Sequence, residues 1–377
     1  MKIGIMTWWR NTNYGGFLQG LALQTFLLKN GFDVELIRYA FPNVNFSAGR
    51  LISLRRISRP WHILIYAFDV VRSLFLNGAF FARLKRLKKT LVLFDKHVRS
   101  SPACYSSISE LNDDRRYGTI LIGSDQVWTP YFHDAEFSYL LRGLDPCVRK
   151  VSYAASVAAT SVHPYEKIYA EGLSAFDAIS IREKTNIEES ERLSGKRVRW
   201  VVDPTLLLSA DEWRELLALN DKTAERHITF YFLSDFRGRI SELVKLAKAH
   251  SCKVHIFTDV LAFSVTANPL TWIRHLIARV RIACSPWLTL RLDADAHEWL
   301  QDLSTADYVL SDSFHALMFA TIFKRNMKIE IPPTKVFMGS RITDFRSCPD
   351  LEKWSESSRA WLLEALEFRK SAPKVNQ

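Results

Sequence analysis

The chain has 377 residues, 48% of them hydrophobic and 12% aromatic, with a formal net charge of +11. A chain this long exceeds one ordinary core and predicts two domains, while the basic excess favours anionic partners: phosphorylated or carboxylated small molecules, or anionic lipid. No nucleic-acid motif accompanies the charge, the five cysteines show neither CxxC spacing nor an even count, and no uninterrupted apolar run is long enough to span a membrane.

Residues 2–9 read as a buried strand, followed by a loop over 10–16 and a helix over 17–30 that Gly31 closes. The run at the N-terminus is too short for a signal peptide, and unpaired cysteines fit a reducing compartment, so a cytoplasmic location is expected. A strand over 34–39 completes a βαβ unit whose first turn carries glycine. Gly15 and Gly16 let backbone approach a ligand closely, although the GxGxxG of a dinucleotide fingerprint is absent. Arg10, Asn11 and Asn13 suit substrate contact or plain turn chemistry equally. Residues 47–99 change character: arginines and lysines interleave with Leu, Ile, Phe and Trp61 as two or three basic amphipathic helices. They read either as helices packed on the core with a solvated basic face, or as a surface peripheral to an anionic membrane.

A strand over 119–122 runs into Gly123-Ser124-Asp125, one over 150–156 ends in small residues, and one over 177–181 runs into Arg182-Glu183-Lys184. A further strand, 199–202, ends at Asp203-Pro204, and Ser209 with Glu212 forms a capping box for the next helix. Several strands thus deliver polar or small residues at their C-terminal ends, where open α/β sheets bind ligands. A second α/β unit follows, with strands over 228–233 and 254–257 and a helix over 239–250 between them. The segment 262–292 reads as a basic, aromatic insertion, and a helix over 293–303 leads to the most informative stretch, ADYVLSDSFHALMFATIF at 306–323. Its apolar start is a strand, Ser311, Asp312 and Ser313 are helix N-cap types, and His315 falls in the first turn of an apolar helix. An imidazole beside a helix N-terminus is a candidate acid–base centre next to an anion site. A strand over 327–331, a loop at Gly339-Ser340-Arg341 and a terminal helix over 351–368 finish the chain. The expected division is residues 1–205 with the insertion 47–99, residues 206–345 with the insertion 262–292, and a C-terminal helix and tail over 346–377.

NYGGFLQGLALQTFLLKNGFDVELIRY, LIGSDQVWTP, VSYAAS, the REK and DPTLLL segments, SDSFHA and SRITDF occur here in that order. As an ordered set they resemble the polysaccharide pyruvyl transferase family. The resemblance implies a fold similar to GT-B glycosyltransferases, with two Rossmann-like domains facing a cleft. It further implies phosphoenolpyruvate as donor co-substrate, no other cofactor, and a glycan or lipid-linked sugar as acceptor. The product would be a pyruvate ketal. Where the family resembles Arg-x-His, this chain has Ser313-Phe314-His315; the histidine carries over and the arginine does not, shifting the grip on the donor to another cation.

Ketal transfer from an enol phosphate needs a proton donor for the methylene carbon and cations for the phosphate and carboxylate. His315 is assigned the proton transfer, and Arg182, Lys184 and Arg341 the anions. Asp125 would orient or deprotonate an acceptor hydroxyl, with a turn aspartate as the plainer alternative. No metal is expected. Two other readings stay open: a GT-B-type glycosyltransferase using a nucleotide sugar, and a catalytically weak glycan- or lipid-binding protein in polysaccharide assembly.

Overall fold

A computed structural model describes residues 2–9, 13–40, 79–131, 133–221, 225–258, 269–331 and 336–367. The first part of the chain runs β1 (Lys2–Met6), α1 (Tyr14–Lys29), β2 (Val34–Tyr39), α2 (Ala79–His97), β3 (Ser100–Tyr105), α3 (Ile108–Asp113), β4 (Tyr117–Ile122) and β5 (Arg149–Ser152). These strands form a parallel five-stranded sheet in the order β3-β2-β1-β4-β5. Next come α4 (Glu166–Ser174), β6 (Ile179–Ile181), α5 (Ile187–Ser194), β7 (Val198–Trp200) and α6 (Ala210–Leu217). The pair β6-β7 continues the first sheet through single bridges, Val151 with Ala178 and Ala155 with Ile181.

The second sheet is also parallel and five-stranded, in the order β10-β9-β8-β11-β12. Its elements are β8 (His227–Phe232), α7 (Ile240–His250), β9 (Lys253–Thr258), α8 (Pro269–Ala283), β10 (Leu288–Leu290), α9 (Ala296–Thr305), β11 (Tyr308–Ser311), α10 (Phe314–Ile322) and β12 (Asn326–Ile329). Helices α11 (Val336–Arg346) and α12 (Leu351–Glu367) follow. Parallel strands covered by crossover helices on both faces read as unbroken apolar runs; every residue of β8 is buried. Strand order reverses between β1 and β4 in one sheet and between β8 and β11 in the other, so each sheet has a switch point where a crevice opens at the C-terminal strand ends.

Several expectations shift. Helix α1 begins at Tyr14 rather than residue 17, because the Asn13 side chain caps it by accepting the Gly16 N–H at 3.2 Å; Gly15 and Gly16 lie in the helix, not in a loop. Residues 269–290 supply α8 and β10, a crossover helix and an edge strand of the second sheet. Edge strands β3 and β10 escaped the sequence reading because each lacks a clean apolar run: three consecutive residues of β3 are exposed and β10 is only three residues long. Gly339-Ser340-Arg341 belongs to α11 rather than to a loop. Of the basic stretch 47–99, residues 47–78 lie outside the described residues, as do Arg10, Asn11, 262–268 and the tail from 368.

What remains of that stretch, α2, fastens the two lobes. Lys85 pairs with Asp293 at 2.7 Å and Lys89 with Glu298 at 2.7 Å, while the buried Arg86 guanidinium lies 4.1 Å from the centre of the Tyr14 ring. Tyr14 in turn stacks on Trp299 of α9 at 5.0 Å and donates its hydroxyl to the Ala294 carbonyl at 3.1 Å. Helix α12 returns to the first lobe: the Trp354 indole N–H donates to the Trp200 carbonyl, Ser358 Oγ accepts from the Val202 N–H, and Arg359 donates to the Leu206 and Leu207 carbonyls. Among the described residues no helix is long and apolar enough to cross a membrane.

Candidate active site

The two switch points face each other, and the residues that follow their strands converge. Ser124 and Asp125 follow β4, Arg182 and Glu183 follow β6, and Asp203 lies just beyond β7, on the first-lobe side. Phe314 and His315 open α10, directly after β11, and Arg341 projects from α11 on the second-lobe side. Gly15, in the first turn of α1, completes the ring. A Cβ built there would lie 2.0 Å from His315 Nδ1, so the imidazole rests against bare backbone.

Asp203 is the anchor. Its Oδ1 accepts from the Thr205 N–H and hydroxyl at 3.0 and 2.8 Å. Its Oδ2 accepts from Arg182 Nη1 at 2.9 Å and Ser124 Oγ at 3.2 Å, and lies 3.8 Å from His315 Nε2. Burial would raise this carboxyl, but His315, Arg182 and the Thr205 hydrogen bonds outweigh it and hold it below its ordinary value. Arg182, itself 3% exposed, also contacts Glu183 Oε1 at 3.4 Å and Asp125 Oδ1 at 3.5 Å. Burial opposes its charge, yet these three acids keep its pKa raised.

Arg341 is different. It is 5% exposed and, among the described residues, no carboxylate lies within ion-pair distance of it. Burial, with the Arg182 charge beside it, brings its pKa down to about 10, still cationic at neutral pH. Both guanidiniums flank one ring: the Arg182 and Arg341 central carbons lie 5.1 and 5.5 Å from the centre of Phe314. Glu183 is fully buried, accepts from Ser156 Oγ on Oε1, and burial raises its pKa against the pull of both arginines.

Among the described residues four buried polar atoms here make no hydrogen bond: Arg182 Nη2, which lies 3.5 Å from Asp125 Oδ1, Arg341 Nε, His315 Nε2 and Glu183 Oε2. Ser313 holds the N-cap position of α10, but its side chain makes no capping bond. Buried polar groups are ordinarily satisfied. An uncapped helix N-terminus, two arginines and an imidazole gathered around one aromatic ring are the elements of a candidate anion site. His315 is 7% exposed, and burial, the largest influence, lowers its pKa and favours the neutral imidazole. Its neighbours are polar: Asp203 and Asp125 raise its proton affinity, and Arg182 and Arg341 lower it.

Not every expected residue joins this group. Lys184 turns outward on a short 3-10 turn, exposed, its ammonium 5.5 Å from the centre of the Trp200 ring. Asn13 and Gly16 serve the N-cap of α1. Asp312 does not cap α10: its carboxylate accepts from the Leu233 and Ser234 N–H groups at 2.6 and 2.9 Å and joins the β8 and β11 ends. Asp125 takes a left-handed φ of 79°, and its Oδ1 accepts from the Gln126 N–H at 2.9 Å. Asp203, Glu183 and Phe314 were not among the expected site residues. Asp203-Pro204 after a strand carried a signal, an aspartate starting a turn with proline at its first position; a buried Glu183 between two basic residues carried none.

The family model for polysaccharide pyruvyl transferase matches residues 13–327. This chain belongs to that family. It is therefore a transferase, and its fold is the GT-B arrangement of two parallel α/β lobes. Among solved structures it resembles the UDP-GlcNAc 2-epimerase of Neisseria meningitidis bound to UDP-GlcNAc, at 11% identity over 97% of this chain and 99% of that one, TM-score 0.50. The UDP-GlcNAc 2-epimerase of Methanocaldococcus jannaschii is similar at 10% identity over 97% and 99%, TM-score 0.52. At such identities the likeness is one of fold. No curated protein sequence matches the chain significantly.

One cluster away from this site was not anticipated. His227 and His255, on β8 and β9, and Asp302 on α9 bring ligand-type atoms within 4.8 Å of one another. Their bonding is that of an ion pair. The two rings stack at 4.6 Å with planes 17° apart, both serving one carboxylate, and His227 Nδ1 and Nε2 face the Glu225 and Asp302 carbonyl oxygens at 3.3 and 2.9 Å. A carbonyl oxygen only accepts, so these contacts suit a doubly protonated His227, in line with the pKa of about 9 that Asp302 gives it against burial, and such a ring offers no lone pair to a metal.

Proposed function

We propose that the protein transfers the pyruvyl group of phosphoenolpyruvate to two hydroxyls of a sugar in a surface-polysaccharide precursor, forming a ketal. One hydroxyl adds to the enol carbon while the neighbouring methylene carbon takes a proton and becomes a methyl group. The second hydroxyl then displaces phosphate and closes the ring. The observation that carries this reading is the set of buried nitrogens near Phe314 that make no hydrogen bond among the described residues, Arg182 Nη2, Arg341 Nε and His315 Nε2, which suits an anion with a phosphate and a carboxylate presented to a proton donor.

In this reading Arg182 and Arg341 hold the two anionic groups, with the uncapped N–H groups of α10 beside them. Arg341 supplies the guanidinium that the family pattern would place at Ser313. His315 is neutral in the free protein; the bound anion raises its proton affinity, and the imidazolium protonates the methylene carbon. Asp125 would orient or deprotonate an acceptor hydroxyl in this reading. The donor and a nucleotide- or lipid-linked acceptor would be met in the cytoplasm.

The test is phosphate release from phosphoenolpyruvate with candidate glycan acceptors, wild type against His315→Ala. Equal rates remove His315 from the mechanism. A nucleotide-sugar reading draws on the two epimerase-like folds; release of UDP from a UDP-sugar, with phosphoenolpyruvate left intact, would favour it.

A further inference from the structure

Helix α8 has two apolar sides. Ala278 and Ile282 face the second-lobe core, and His275, one turn earlier on the same side, is buried with them. Ile273, Ile277 and Val280 repeat that spacing on the other side, where they are 45%, 52% and 52% exposed. A crossover helix packed on a sheet needs only one apolar stripe, and the outward stripe of such a helix is ordinarily polar. Arg274 and Arg281 lie along one edge of the outward stripe, both exposed. Arg281 is held by one neutral contact, Ser241 Oγ at 2.8 Å, and no carboxylate pairs with either arginine among the described residues. The helix sequence, PLTWIRHLIARVRIA, contains no acidic residue.

The neighbouring helix extends this surface. Ala82 of α2 packs on the same core cluster as Ala278 and Ile282, and the adjacent Phe81 and Leu84 are 56% and 42% exposed. We propose that the outer face of α8, joined by the first turns of α2, is a docking surface for an anionic lipid bilayer. The aliphatic and aromatic side chains enter the headgroup boundary, and Arg274 and Arg281 meet lipid phosphates. A second copy of the chain fits less well, since a two-fold contact would set Arg274 and Arg281 against their own symmetry mates with no carboxylate on the helix. The proposal stands independently of which donor the active site uses.

The experiment is flotation of the full chain with vesicles of phosphatidylcholine alone and of phosphatidylcholine mixed with phosphatidylglycerol. Wild type should float with the anionic vesicles and stay behind with the neutral ones. A Arg274→Glu/Arg281→Glu variant should lose about tenfold or more of that partitioning, from about 1 kcal/mol per basic residue near the surface. An Ile273→Ser/Ile277→Ser/Val280→Ser variant should lose it with an unchanged melting temperature, because these side chains are exposed. No flotation by wild type, equal flotation on both vesicle types, or undiminished flotation of both folded variants each overturns the proposal. A concentration-dependent dimer in sedimentation velocity that the triple serine variant abolishes would also overturn it, assigning the face to self-association.

Discussion

Gly15 and His315 lie in different lobes and touch: the space a methyl group would need at position 15 is occupied by the imidazole ring. The contact is held from both sides, by Tyr14 stacked on Trp299 and by the end of β11 aiming α10 at the first lobe. Gly15→Ala therefore forces either the ring or the lobes to move. The expected result is a folded protein with phosphate release from phosphoenolpyruvate reduced by about 100-fold, the scale of an ångström-sized misplacement. A rate within a few-fold of wild type would show that the ring has slack.

Among the described residues no carboxylate lies within ion-pair distance of Arg341, so removing it should cost little stability and much substrate binding. Arg341→Ala is expected to raise the KM for phosphoenolpyruvate by about 10- to 100-fold, the worth of one or two hydrogen bonds to a charged group. Arg341→Lys should recover part of the loss, keeping the charge without the fork. Restoring the family's arginine, Ser313→Arg in the Arg341→Ala background, would recover binding if the two positions serve the same anion.

Asp203 supports two catalytic candidates at once. Asp203→Asn leaves Arg182 with a weakened set of partners in a buried setting. An unfolding free energy lower by about 3 kcal/mol is expected in urea titration, together with a loss of turnover. Glu183→Gln keeps shape and hydrogen bonding in a neutral form, and the burial-raised pKa of Glu183 predicts a milder effect.

Proton uptake is the signature of His315. Burial keeps its pKa below 6.5 in the free protein, and a bound anion would raise it. Binding of phosphoenolpyruvate near pH 7 should therefore take up protons, read as a dependence of the calorimetric binding enthalpy on the ionisation enthalpy of the buffer. His315→Gln should abolish that dependence.

The His227–Asp302 pair predicts a pH profile of stability. Burial opposes the His227 charge, but the Asp302 contacts bring its pKa up to about 9, above the ordinary 6.5. The stability tied to its imidazolium is present in full below about pH 6.5 and is lost as pH rises through about 9, a contribution on the order of 2 kcal/mol. Asp302 is held at about 2 by the two histidines against burial, so its share is present above about pH 3.8 and lost as pH falls through about 2. Asp302→Asn should flatten the alkaline side of the melting-temperature profile.

Much of this architecture was legible in the residues. The apolar runs of β1, β2, β4 and β8 and the Ser209–Glu212 capping box announce themselves through local periodicity and cap chemistry. Those signals depend on a few neighbouring residues, which is why His315 could be placed in a helical first turn after a strand. Edge strands β3 and β10 lacked them. The site was harder, since Arg182 and Lys184 are two positions apart with the same charge. One is sealed against Asp203 and the other lies over Trp200 in solvent, a difference set by residues far along the chain. Arg341 was found as a cation, but its setting in a helix was hidden by the glycine two positions before it.

Helix α12 lies on the first lobe, although the second sheet precedes it in the chain. The polypeptide therefore crosses between the halves twice, once going out and once coming home, and the later half hangs as a loop pinned at both ends. Because His315 and Arg341 ride on the later half while Asp125, Arg182 and Asp203 belong to the earlier one, the charged ring exists only while the two halves are closed on each other.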